Sequence, residues 1–241
     1  MTYTFLQNGD AAVTIQFKKE ISKQVNSYVT ALTSLIECKN IKGIIEIIPT
    51  FASVTVLYDC TVISADRLKK KIARLIKSVN NTTAVNSLVY NIPVCYDEEF
   101  APDMKNVCNH TGLSREQVIE LHTAKPYLIY MLGFLPGFAY LGGMDERLFT
   151  PRLETPRLEI FEGAVGIGGE QTGIYPIASP GGWQLIGKTP VKVYDSSKEN
   201  PILYKAGDYI KFQNITQQEF YDIDKQVKNG TYIPSYQEVS L

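Results

Sequence analysis

Apolar and polar residues alternate at Val13, Ile15 and Phe17, the period of a strand with one buried face. The period then lengthens. Ile21, Val25, Tyr28, Val29, Leu32 and Ile36 recur at helical spacing, with Ser22 placed to cap the helix and Ile21 to staple it. After Gly43, the run Ile44, Ile45, Ile47 and Ile48 reads as a strand that Pro49 ends, since proline supplies no ladder donor. Val54, Val56 and Tyr58 alternate again. Ser64 then opens a second helix with Leu68, Ile72, Leu75 and Ile76 inward and Lys69, Lys70 and Lys71 toward solvent. Leu88, Tyr90 and Ile92 return to period two. The order β-α-β-β-α-β predicts a split βαβ layer over residues 1–90, an antiparallel sheet with both helices on one face that either ends near residue 90 or merges there into the next sheet.

The texture changes beyond residue 91. Ala101, Pro102 and Asp103 open a short helix that Gly112 ends, and Leu113, Ser114, Gln117 and Val118 have the spacing of a capping box with its staple, so a second helix runs to about Leu121. Two short helices about a glycine turn resemble a helix-turn-helix, but Arg115 is isolated and Glu116 and Glu120 would repel phosphate, which sets DNA binding aside. Short strands follow at Tyr127–Met131, Ala164–Ile167, Trp183–Ile186, Val191–Tyr194 and Tyr209–Phe212, punctuated by glycine and proline. That rhythm predicts a barrel or sandwich over residues 91–230. Thr216 to Val227 has helical character with Phe220 and Ile223 on one side, and residues 231–241 read as an irregular tail.

Composition narrows the function classes. The 24 basic and 25 acidic side chains nearly cancel, so no global field draws in nucleic acid or an anionic membrane. The start of the chain lacks a basic, then apolar, signal segment, and no apolar run approaches bilayer length; the expectation is a soluble cytoplasmic protein with no nucleic-acid or membrane partner. Cys38, Cys60, Cys95 and Cys108 are irregularly spaced and read as free thiols. With only two histidines, no metal site is expected.

Candidate chemistry gathers in glycine- and proline-rich stretches. Residues 133–143 alternate rings, Phe138 among them, with residues that bend the backbone, giving either a packed barrel corner or a shallow pocket. Residues 166–176 cluster Gly166, Gly168 and Gly169 ahead of Glu170, Gln171, Thr172 and Tyr175, either a plain turn or an anion nest with an amide, a hydroxyl and a phenol suited to a small amide. This stretch is not a Walker A loop, because the closing Lys-Ser/Thr pair is missing. Residues 179–190 hold the single tryptophan, Trp183, beside Gly181 and Gly182, as ligand floor, anchor for a partner chain, or core. Two Thr-Pro-Arg units place Arg152 and Arg157 near rigid turns, where paired guanidinium groups suit a carboxylate or phosphate. His122, at the end of its helix, is either a proton carrier or structural, and His110 suits a helix C-terminus.

Longer strings carry a resemblance: Gly9-Asp10, Ile48-Pro49, Ile92-Pro93-Val94-Cys95-Tyr96, His110-Thr111-Gly112-Leu113-Ser114, Leu121-His122 and, most densely, residues 132–140, 171–176 and 179–190. In this order they resemble the 5-oxoprolinase B-subunit family, also named allophanate hydrolase subunit 1, which includes an inhibitor of a sporulation sensor histidine kinase. The resemblance implies an α+β fold: an N-terminal split βαβ (ferredoxin-like) domain followed by a C-terminal cyclophilin-like β-barrel. It implies direct pairing with a separate polypeptide, the family's C subunit, and with a third, the A subunit, with ATP used by the complex rather than bound by this chain alone. The implied activity is ATP-dependent opening of 5-oxo-L-proline to L-glutamate by a chain that is inactive without its partners. Two other readings stay open, an inhibitor that binds a sensor histidine kinase and a component of a urea-derived amide hydrolase.

The chain departs from the family pattern at Asp97-Glu98 and at Gly169-Glu170, where glycine pairs are usual. On this resemblance, His122, Arg157, Gln171 and Thr172 are the expected catalytic set, with Phe138, Gly168, Gly169, Glu170, Tyr175 and Trp183 around the substrate.

Overall fold

The computed structural model describes residues 2–18, 22–79 and 86–240, and the chain divides into two compact units, Met1–Val85 and Asn86–Leu241. In the first, strands β1 (Thr4–Asn8) and β2 (Ala12–Gln16) lead to helix α1 (Lys23–Cys38), strands β3 (Ile44–Pro49) and β4 (Ser53–Tyr58), and helix α2 (Ala65–Ser78). The four strands form an antiparallel sheet in the order β1-β2-β4-β3. β4 therefore separates β2 from β3, the two strands that α1 connects, as the split βαβ pattern requires.

The fourth and last strand of that pattern is a correction. Residues 88–92 leave this sheet for the second unit, and β1 fills the edge beside β2 instead. The sequence hid β1 because most of its residues are exposed and the strand has no clean two-residue period. Packing follows the apolar stripes: Val13, Ile15, Val54 and Val56 meet Val29, Leu32 and Ile36 of α1 and Leu68, Ile72 and Ile76 of α2. Each such burial contributes roughly 1.5–3 kcal/mol. The Tyr28 hydroxyl donates to the Ile76 carbonyl at 2.8 Å and ties the helices together. Ser22 caps α1 by accepting from the Val25 amide at 3.3 Å, whereas Ser64 makes no side-chain bond at its cap; Ile21 lies outside the described residues.

The second unit begins with β5 (Asn86–Cys95), helices α3 (Met104–Thr111) and α4 (Arg115–Thr123), β6 (Tyr127–Leu132) and β7 (Ala139–Gly142). It continues through a 3-10 turn (Glu146–Leu148), β8 (Arg157–Ile160), β9 (Ala164–Gly168), β10 (Gln171–Ile174), β11 (Ser179–Gly181) and β12 (Gln184–Lys188). It closes with β13 (Tyr209–Ile215), helix α5 (Gln217–Lys228) and β14 (Tyr236–Ser240). Seven strands run in the order β10-β9-β12-β5-β13-β6-β7, and the outer pair, β7 and β10, lie beside each other, so the sheet nearly closes into a barrel. Its interior holds Ile92, Val94, Ile129, Val165, Ile167, Ile174, Ile210 and Phe212.

Both short helices start and stop where the sequence signals stand. Gly112 ends α3 at φ 72°, and the Ser114–Gln117 capping box starts α4. A second capping box, Thr216 with Glu219, starts α5. Two expectations fail. Val191–Tyr194 is no strand and keeps only an isolated bridge, Tyr194 to Ile202. Residues 236–240, read as an irregular tail, pair with β5 as an antiparallel strand. Cys38, Cys60, Cys95 and Cys108 are free thiols, and among the described residues no helix is long and apolar enough to cross a membrane.

Candidate functional site

Strand alternation sorts the hairpin of β9 and β10 into two faces. Val165, Ile167 and Ile174 point into the barrel, while Ala164 and Tyr175 join a separate outer cluster with Phe138, Ile160, Trp183 and Leu185. Glycines make the outer face flat. A Cβ at Gly168 would stand 2.3 Å from Trp183 Nε1, and one at Gly173 would stand 3.1 Å from Trp183 Cζ3, so the indole lies directly on the sheet backbone. Phe138 meets this layer edge-on, 5.5 Å from the Trp183 ring centre and 5.4 Å from that of Tyr175. Gln171 pairs directly opposite Gly168, so its side chain shares the Trp183 face.

Two arginines reach this aromatic floor. Arg152 lies over Trp183, its Cζ 5.9 Å from the ring centre. Arg157 begins β8, whose register places it opposite Gly181, and a Cβ at Gly181 would meet the Tyr175 hydroxyl at 2.6 Å. Burial pushes the Tyr175 phenol up, opposed by a bond from the Trp183 backbone amide and by the charges of Arg152 and Arg157. The two Thr-Pro-Arg units thus converge electrostatically on one phenol.

A buried carboxylate holds Arg157. Asp103 Oδ1 accepts from Arg157 Nη2 at 2.7 Å, and Asp103 Oδ2 accepts from the Leu185 amide at 2.7 Å, while the Asp103 amide donates to the Leu185 carbonyl at 2.9 Å. This leaves the other guanidinium nitrogen, Arg157 Nη1, buried without a hydrogen-bond partner, as are Gln171 Nε2 and Ser179 Oγ. Buried polar atoms of this kind cost about 1–3 kcal/mol each, and native folds keep few of them. An unpaired guanidinium nitrogen near Tyr175 and an unpaired amide donor on the Trp183 face each suit an acceptor atom of a small anion. Sequence reasoning missed Asp103: Pro102-Asp103 reads as a helix start, yet its carboxylate makes no cap bond to α3.

His122 and Thr172 lie on the opposite, interior face and do not join this group. The His122 ring is fully buried and stacks on Phe212 at 4.5 Å. Its Nδ1 is 2.7 Å from the Tyr96 hydroxyl and its Nε2 is 2.7 Å from Thr172 Oγ1, and that hydroxyl donates to the Gly166 carbonyl at 3.0 Å. Since the Thr172 proton points to Gly166, Oγ1 accepts from Nε2–H, and Nδ1 accepts from Tyr96. Burial alone lowers the imidazole from 6.5 to about 3, keeping it neutral. The His122–Thr172 hydrogen bond ties helix α4 to strand β10 inside the barrel.

Gly169 takes φ 68° in the hairpin turn and its amide is bonded to the Thr150 carbonyl at 2.7 Å, so it is not free to cradle an anion. Glu170 is exposed at the same turn. Of the expected residues, Arg157, Gln171, Phe138, Gly168, Tyr175 and Trp183 share the outer site. Among the described residues no group of three or more His, Cys, Asp or Glu side chains stands ready to hold a metal.

The family model described as "Carboxyltransferase domain, subdomain C and D" matches residues 3–204. The 5-oxoprolinase B subunit of Bacillus subtilis (strain 168) is 42% identical over 229 residues, covering 91% of this chain and 95% of that protein. Its counterpart from Escherichia coli O157:H7, which carries the same name, is 51% identical over 121 residues, which cover 50% of this chain and 56% of that protein. Among solved structures, TTHA0988 superposes with a TM-score of 0.75 at 35% identity over 85% of this chain, which spans only 40% of that longer chain. By the family model and by the near full-length match to the B. subtilis protein, the chain belongs to the 5-oxoprolinase B-subunit family, with a carboxyltransferase domain of the subdomain C and D type.

Proposed function

We propose that this chain is the non-autonomous B subunit of an ATP-dependent 5-oxoprolinase, and that the Arg157–Gln171–Trp183 face supplies its part of the substrate site. The single observation that carries the site is the pair of unpartnered buried donors, Arg157 Nη1 and Gln171 Nε2. At neutral pH 5-oxoproline presents a carboxylate and a lactam carbonyl on a small ring. Arg157 Nη1 takes the carboxylate, with Arg152 adding charge from above Trp183. Gln171 Nε2 donates to the lactam oxygen, and Trp183 and Phe138 wall the ring against water. A lactam resists hydrolysis, so ATP is spent on phosphorylating its oxygen, which makes the ring carbon electrophilic. The Trp183 face binds and orients; the phosphoryl transfer and the attacking water fall to the partner A and C subunits, which are separate polypeptides in this reading.

We also infer that the barrel is of cyclophilin-like type and that the N-terminal unit is a ferredoxin-like layer with its fourth strand replaced by β1. The near-closed seven-strand order and the inserted β4 support these readings. The experiment that tests the function is ATP-dependent release of glutamate from 5-oxoproline, first with this chain alone and then with the A and C subunits co-purified. Glutamate release by the complex alone is the expected result; a verified complex that releases no glutamate removes the oxoprolinase reading.

A further inference from the structure

On another part of the second unit, the turn at Glu162–Gly163 and the Lys188–Lys192 segment face helix α5 across an open groove of about 220 Å³. One wall is rigid: the Thr189 amide donates to the Gly163 carbonyl at 2.9 Å, and a Cβ at Gly163 would stand 2.4 Å from the Thr189 carbonyl oxygen. The floor is unusual for a lysine. Lys188 Nζ lies 5.1 Å from the ring centre of Phe161, 5.7 Å from Phe220 and 5.9 Å from Phe100. Each ring face attracts the ammonium, but three phenyl rings also remove water from it.

The carboxylates nearby do not neutralise it. Asp224 pairs with Lys228 at 2.6 Å, and no ion pair to Lys188 is found among the described residues. Lys192 and Glu162 lie on the groove rim. The groove therefore combines a half-buried, charge-unpaired ammonium with apolar wall from Val191, Phe220 and Val227. Its volume, about 220 Å³, is below the roughly 300–1,000 Å³ of drug-sized sites and limits the occupant to a small molecule.

We propose that this groove is a second binding site, taking a small monocarboxylate whose acid group pairs with Lys188 and whose apolar body packs on Phe220 and Val227. None of its lining residues belongs to the Trp183 face, although Phe161 beneath Lys188 also packs against that cluster, and the proposal stands whether or not the chain serves an oxoprolinase. A carboxylate restores to Lys188 the counter-charge that the rings supply only in part, and the apolar walls add selectivity for an organic anion over an inorganic one.

The test is an amide-shift titration of the full-length chain with benzoate, using benzylamine as the control with the same ring and opposite charge. Saturable shifts at Gly163, Thr189, Val191 and Val227 with benzoate alone are expected. Lys188→Met, which keeps the stem on the rings, weakens binding at least tenfold, and Lys192→Met on the rim changes it less than twofold. The proposal is overturned by no saturable shift at these amides, by equal response to benzylamine, or by wild-type affinity in Lys188→Met; each leaves Lys188 as a stem covering Phe220.

Discussion

Thr172 Oγ1 stands 2.7 Å from His122 Nε2, across a separation of 50 residues in the chain. Odd and even positions of β10 thereby serve two ends: Thr172 locks the strand to the interior, while Gln171 and Gly173 face Trp183. Replacing His122 by Ala opens a cavity and strips Tyr96 and Thr172 of a buried partner. The expected loss is about 3 kcal/mol, read from denaturant unfolding. A loss under about 0.5 kcal/mol would contradict the buried network.

The same ring sets a pH dependence. Its folded value, about 3, is depressed from 6.5, so between these limits the unfolded chain binds the extra proton. Stability from this group is full above 6.5 and falls as pH drops toward 3, at up to about 1.4 kcal/mol per pH unit. Comparison with His122→Gln isolates the term from titrating carboxylates: the variant is expected to lose about one proton from the unfolding linkage near pH 5. Identical slopes in the two proteins would show that His122 titrates normally.

Trp183 is the single tryptophan, so its fluorescence reports the outer face alone. Gly168→Ala places a methyl group 2.3 Å from the indole nitrogen and must displace the ring. A red-shifted emission with a stability loss of roughly 1–3 kcal/mol is predicted. An unchanged spectrum would mean that the indole does not rest on Gly168.

Asp103 holds Arg157 from a buried position, with 4% of its side chain exposed. Asp103→Ala strands both the Leu185 amide and one side of the guanidinium, for an expected loss of about 3 kcal/mol. Arg157→Lys keeps a charge beside Asp103 but cannot also present the second nitrogen. The lysine variant should fold, assemble with its partners and show a raised KM for 5-oxoproline with kcat less affected. Wild-type KM in a folded lysine variant would remove Arg157 from the substrate site.

Much of the fold was legible because buried faces write their period into the chain. The stripes of α1 and α2, the Ser114 capping box and Gly112 all stand where the signals put them. The short strands β7, β8, β10 and β11 were not, since three or four residues are too few to show a period. The destination of β5 was equally hidden: alternation at Leu88, Tyr90 and Ile92 marks a strand but not the sheet it joins. At the site, residue types pointed to Arg157, Gln171 and Trp183, while the inward aim of His122 and Thr172 and the clamp from Asp103 depend on tertiary register. No local signal in the sequence separates Thr172 from Gln171; only the facing of β10 does.

Gln171→Leu tests the central claim most directly, because it removes the unpartnered amide while keeping similar bulk. Measured on the assembled complex, kcat/KM for 5-oxoproline should fall roughly tenfold to a hundredfold. The melting temperature of this chain should hold or rise, since a buried donor without a partner is gone. Wild-type kcat/KM in a folded, assembled Gln171→Leu complex would contradict the account, showing that the Trp183 face does not bind the substrate.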